Sequence, residues 1–209
     1  MNPGDVVLDE LEHDALTEVV NIGVSRAAAS LRKMIGQQVL LTVPAVEIVS
    51  RETAARLLKE REAAKLVAVQ QSFTGAFSGR ALLIFPEVNS LELVRAVTGG
   101  EMSPEELLEM EDEALTETGN VILNSCLATM ANMLKRPLTM SMPEVCRAEG
   151  GELFDSGEAR GLVLFLYIDF SVRNRDLRGY IAMMMDMPSL AALKELLREF
   201  IHEVIGDQG

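Results

Sequence analysis

Two sets of side chains in this 209-residue chain have the types and spacing to do chemistry. Asp14, Glu18, Asn21 and Ser25 share one stripe of a helix turning about 100° per residue; Glu113, Glu117, Asn120 and Asn124 share another. Each polar stripe opposes an apolar one. These are Leu16, Val20, Gly23, Ala27, Leu31 and Met34 in the first helix, and Leu115, Gly119, Ile122, Cys126, Met130 and Met133 in the second. The polar stripes therefore point outward as rows of carboxylate and carboxamide. Any solvated helix needs a polar face, but Asn is a poor mid-helix residue because its side chain competes for the backbone. In both stripes it stands at the same step after Glu. An acid pair such as Asp14 with Glu18 could divide acid and base work, yet an exposed stripe offers no desolvation to raise one pKa. His13 and His202 have no partner at metal-ligand spacing, so no metal site is expected.

The elements that carry these stripes recur. A shift of 99 residues lays Glu18 and Asn21 on Glu117 and Asn120, Leu31 on Met130, Leu41 on Met140 and Pro44 on Pro143. Identical Glu, Asn and Pro at fixed separations argue for a tandem duplication, and no Gly/Ser/Pro-rich linker separates the halves. The expected unit is one domain over 1–209 made of two repeats, about 7–98 and 104–205. The first half reads as a long helix over 7–35 closed by Gly36, a strand over 38–49, a helix over 51–63, strands over 66–74 and 78–85, and a helix over 87–98. The second begins at a Ser103-Pro104-Glu106 cap and runs as a helix to 135. Strands over 160–171 and 177–186 and a helix over 188–205 follow, with 149–157 as a loop. The fold class is α/β with a pseudo-two-fold axis, a mainly antiparallel sheet layered with the two long motif-bearing helices.

Composition narrows the partners. A net charge of −13 disfavours nucleic acid and anionic membranes, which need a basic stripe. No apolar run approaches the length of a membrane span, and no signal peptide is evident, so a cytoplasmic protein is expected. Cys126 and Cys146 read as small buried thiols. The cluster Glu105, Glu106, Glu109, Glu111, Asp112, Glu113 and Glu117 reads as a solvated face, or one that docks a basic partner.

The spacing Asp or Ser, three residues, Glu, two residues, Asn, twenty-two residues, Pro resembles the signature of the CheC/CheX/FliY phosphatases of bacterial chemotaxis. Asp14, Glu18, Asn21 and Pro44 match it fully. Glu117, Asn120 and Pro143 match in the second copy, where Glu113 replaces Asp or Ser. Two copies without an added domain are most similar to CheC. The resemblance implies hydrolysis of the aspartyl-phosphate of a CheY-type response regulator, with Mg²⁺ held by the regulator and no cofactor or metal in this chain. It makes Asn21 and Asn120 the residues that hold the attacking water, since a carboxamide binds water without a charge that repels phosphoryl oxygens. It makes Glu18 and Glu117 partners for the regulator's Lys, with Asp14, Glu113, Pro44 and Pro143 in support. The other reading it allows is a non-catalytic adaptor of the same fold that binds the regulator or the receptor deamidase CheD.

Overall fold

The structure is a computed structural model and describes residues 8–62, 65–98, 103–154, 161–172 and 175–206. Its helices are α1 (Glu10–Ile35), α2 (Arg51–Arg61), α3 (Glu87–Thr98), α4 (Pro104–Met133) and α5 (Met187–Gly206). Its strands are β1 (Val39–Ser50), β2 (Lys65–Gly75), β3 (Gly79–Pro86), β4 (Leu138–Met140), β5 (Glu144–Glu149), β6 (Leu162–Val172) and β7 (Arg175–Met185). The expected boundaries hold to within a few residues. The stretch expected as a loop over 149–157 differs in its described part: β5 runs to Glu149, and a 3₁₀ turn occupies Gly150–Phe154 because Leu153 and Phe154 are buried against the α2 side, while 155–157 lie outside the described residues.

Local chemistry fixes the ends of both long helices. Asp9 caps α1, accepting from the Glu12 backbone N–H while Glu12 accepts from Asp9 N–H. Ser103 and Glu106 form the same reciprocal pair at α4, with Pro104 in the first turn. Gly36 closes α1.

All strand pairs are antiparallel, in the order β1-β6-β7-β3-β2-β4, with β5 also on β2. The strand after α1 therefore lies on β6, and the strands after α4 lie on β2. Each long helix sends its following strand across to the far half of the sheet. One sheet face buries the larger core beneath α1, α3, α4 and α5; the other buries a smaller one beneath α2 and the 3₁₀ turn.

Small residues let the motif helices sit close. A Cβ on Gly23 would come 3.0 Å from the Cys126 backbone of α4, and a Cβ on Gly119 would come 2.5 Å from Val69 on β2. Each helix touches both the sheet and its neighbour, so burial spreads past the expected stripes. Val19, Val24, Thr118, Leu123, Leu127 and Thr129 join them, whereas Met34, near the end of α1, is 44% exposed. Burial at the helix crossing also pushes the Cys126 thiol up to about 12.

Gly119→Ala should destabilise the fold by about 1–3 kcal/mol through overpacking against Val69, read as a lower midpoint in thermal or urea unfolding. An unchanged midpoint would mean that helix and strand are not in contact there. In the folded protein a thiol reagent at mildly alkaline pH should label half-buried Cys146 well before Cys126, since only thiolate reacts.

Candidate functional site

The two polar stripes emerge on the outer sides of α1 and α4. Asp14, Glu18, Glu113 and Glu117 are exposed, while Asn21 and Asn120 are half-buried one turn further along. Among the described residues, the Glu18 and Glu117 carboxylates and the Asn21 carboxamide have no hydrogen-bond or ion-pair partner. Both Glu side chains are free to meet an incoming cation. Asp14 lies 4.0 Å from His13 Nδ1, whose other ring nitrogen is 3.1 Å from the Val46 carbonyl of β1.

The expected supporting prolines sit where strand pairing fails. Pro44 falls at the irregularity between Thr42 and Ala45, where the β1–β6 register shifts. Pro143 lies between the end of β4 and the start of β5. Proline has no N–H for a ladder bond, so both breaks have the same origin. The break beside Pro143 reaches the second stripe. Ser141 accepts at its carbonyl from Gln71 Nε2 (2.7 Å), and the same nitrogen donates to Asn124 Oδ1 (3.1 Å). Asn124 Nδ2 in turn donates to Asn120 Oδ1 at 2.5 Å.

Beneath the stripes lie two charged residues that sequence reasoning assigned otherwise or passed over. Glu111, counted with the solvated acid face, is only 6% exposed: it accepts from Ser90 Oγ (2.9 Å) and from Arg147 (2.9 Å). Arg147 also binds Asp112 at 2.6 Å, and these carboxylates raise the affinity of the guanidinium for its proton. Glu12 is 1% exposed, accepts from Arg198 Nε at 2.6 Å and lies 3.5 Å from Lys194 Nζ. Glu12 and Glu111 are related by the same 99-residue shift, and each precedes its motif Glu by six residues. The signal was present: each lies four residues before the leucine that opens its apolar stripe, on the buried side of the helix.

The stripes form an open helical surface. The cleft of about 420 Å³ lined by Glu47, Arg61, Tyr167 and Tyr180 lies on the α2 side and includes only Pro44 of the motif residues. Among the described residues no cluster of three or more His, Cys, Asp or Glu is placed to hold a metal ion. No described helix is long and apolar enough to cross a membrane.

Two protein families match the chain in separate segments. The family described as chemotaxis phosphatase CheX matches residues 67–166, and the CheC-like family matches residues 11–48. The shorter match contains Asp14, Glu18, Asn21 and Pro44; the longer contains Glu113, Glu117, Asn120 and Pro143. The flagellar motor switch phosphatase FliY of Bacillus subtilis is 27% identical over 74% of this chain, and the match spans only 39% of that protein's length. The CheY-P phosphatase CheC of the same organism is 25% identical, over 72% of this chain and 73% of CheC. Among solved structures, Thermotoga maritima FliY shares the fold with a TM-score of 0.71 and 20% identity, covering 93% of this chain and 99% of its own. A CheX–CheY–BeF₃–Mg²⁺ complex from Borrelia burgdorferi matches at a TM-score of 0.50 and 17% identity, over 78% of this chain and 96% of that one.

The two Asn sites should behave differently in the free protein. The side-chain amide protons of Asn124, which donate to Asn120 Oδ1, should exchange with solvent more slowly than those of Asn21, measured by NMR. Equal exchange at Asn124 and Asn21 would contradict the bonded arrangement around Asn124.

Proposed function

We propose, from its matches to the CheX and CheC-like families and its similarity to CheC, that the chain hydrolyses the aspartyl-phosphate of a CheY-type response regulator in the cytoplasm. The observation that carries this reading is the double occurrence of one arrangement: an unpaired carboxylate followed, one turn along, by a carboxamide on a helix held firmly from behind. We take residues 1–209 as one unit of two repeats, about 7–98 and 104–205. The pairing of each half's first strand with the other half supports that view.

In the proposed reaction the exposed face of α1 or α4 enters the regulator's phosphorylation pocket. Glu18 or Glu117 pairs with a Lys there and sets the depth of entry. Asn21 or Asn120 holds a water in line with the phosphorus–oxygen bond to the Asp. The water oxygen bonds to phosphorus, the bond to the Asp oxygen breaks, and the products are inorganic phosphate and a free carboxylate. The transition state is loose, so placing the water is most of what the phosphatase supplies; charge neutralisation falls to the Mg²⁺ expected in the regulator. Asp14 and Glu113 flank the sites, and Pro44 and Pro143 shape the strand breaks beside them. A similarly folded CheX solved in complex with CheY, BeF₃ and Mg²⁺ supports a CheY-type partner. The competing role, an adaptor that binds the regulator or CheD without chemistry, predicts binding with no phosphate release.

Asn21→Ala and Asn120→Ala should each leave partial activity, and the double variant should leave almost none while melting as wild type does. The measurement is phosphate release from phosphorylated regulator with Mg²⁺ present. Full activity in the double variant would end this mechanism.

A further inference from the structure

Gln71 is out of place by the ordinary rules of a core. It projects from β2 on the face that also presents Val67, Val69 and Phe73 to the large core, and it is 2% exposed. A leucine there would avoid burying an amide, and one polar atom of this amide, Oε1, has no partner. Its nitrogen has two: the Ser141 carbonyl and Asn124 Oδ1.

Those bonds have a direction that chemistry dictates. The Ser141 carbonyl can only accept, so the Gln71 group facing it is the NH₂. The same NH₂ donates to Asn124 and therefore faces that residue's oxygen. Asn124 is left with its own NH₂ toward α4's preceding turn, where it donates to Asn120 Oδ1. The Ser141 main-chain carbonyl, left to Gln71 because Ser72 N–H donates to the Ser141 hydroxyl instead, thus selects which way the Asn120 carboxamide is turned. A carboxamide on a helix surface otherwise has two orientations related by a half-turn, with donor and acceptor exchanged.

The first copy has nothing comparable. At the 99-residue shift, Ser25 stands for Asn124 and Phe170 for Gln71. Ser25 is exposed, Phe170 is buried, and the Asn21 amide has no partner among the described residues. The two sites therefore differ in how their central side chain is held, though their motif residues nearly coincide.

We propose that Gln71 and Asn124 are positioning residues for Asn120 alone, so that the second site holds its water in a fixed amide orientation while the first must select one on meeting the regulator. The proposal rests on the phosphatase reading above. Neither residue is placed to touch the phosphoryl group; they act through the orientation of Asn120.

The test isolates each site in the full-length chain by silencing the other. In an Asn21→Ala background only the second site works, and in an Asn120→Ala background only the first. Gln71→Leu, or Asn124→Ser in case the buried substitution perturbs folding, should lower kcat of the second site about tenfold with KM little changed, since Glu117 is untouched. The same substitutions should cost the first site far less. The Gln71→Leu chain should also melt close to the wild-type temperature, because removing the orphaned buried oxygen offsets the loss of the two bonds from Nε2. Equal losses in the two backgrounds, a loss that follows the melting temperature, or an unchanged kcat at the second site would each overturn the proposal. Phosphate release from the Asn120→Ala chain but none from the Asn21→Ala chain would sink it too and leave the phosphatase reading standing. No release from the wild-type chain, folded and binding the regulator, would instead remove that reading.

Discussion

The close seating of α1 and α4, on each other and on one sheet, governs what the rest of the molecule can present. At Gly23 the backbone of α4 lies where a side chain would begin, and at Gly119 the β2 residue Val69 does. Two helices packed this closely cannot rotate about their axes without colliding, so the direction of their outer stripes is set from behind. Glu18, Asn21, Glu117 and Asn120 inherit their orientation from that packing. Each motif residue is a surface group whose aim is decided in the core.

Electrostatics holds the same helices near their N-terminal ends. Burying a carboxylate is costly unless it is paired and hydrogen-bonded, and Glu12 and Glu111 meet that condition with partners from different elements. Arg198 of α5 ties Glu12 to the helix beside it, while Ser90 of α3 and Arg147 of β5 tie down Glu111. Each buried acid stands six residues ahead of its motif Glu on the other side of the helix. One carboxylate of each pair is spent on architecture and the other kept free for a partner. A chain with so large an acidic excess can thereby keep its motif acids unbonded while anchoring the helices that bear them.

Much of this was legible in the sequence because it is local or repeated. The caps at Gly36 and Ser103 lie within a turn of what they satisfy, and the antiparallel strands announce themselves by alternation. The motif stripes follow from helical spacing alone. Contacts between distant segments were not legible. Arg198 lies 186 residues from Glu12, and Gln71 lies 53 from Asn124 and 70 from Ser141. No pattern in one sequence brings such pairs together. Glu111 was hidden for a related reason: in a run of acids, composition says solvent, and only the approach of β5 and α3 singles one out. The turn at Gly150–Phe154 was masked by its glycines and acids, although Leu153 and Phe154 supply the burial that holds it.

A homodimer must write every substitution twice, once in each of its equivalent sites. Here the two motif copies lie on one chain, and a change in either is inherited alone. The crossing of β1 to β6, and of β4 and β5 to β2, keeps both copies fixed to a common sheet whatever happens to their surroundings. Position 71 can hold an amide while position 170 holds a phenyl ring, a difference that exact symmetry forbids. Joining the copies covalently frees them to diverge: the Asn120 carboxamide is tied through Asn124 to the sheet, while that of Asn21 has no partner among the described residues.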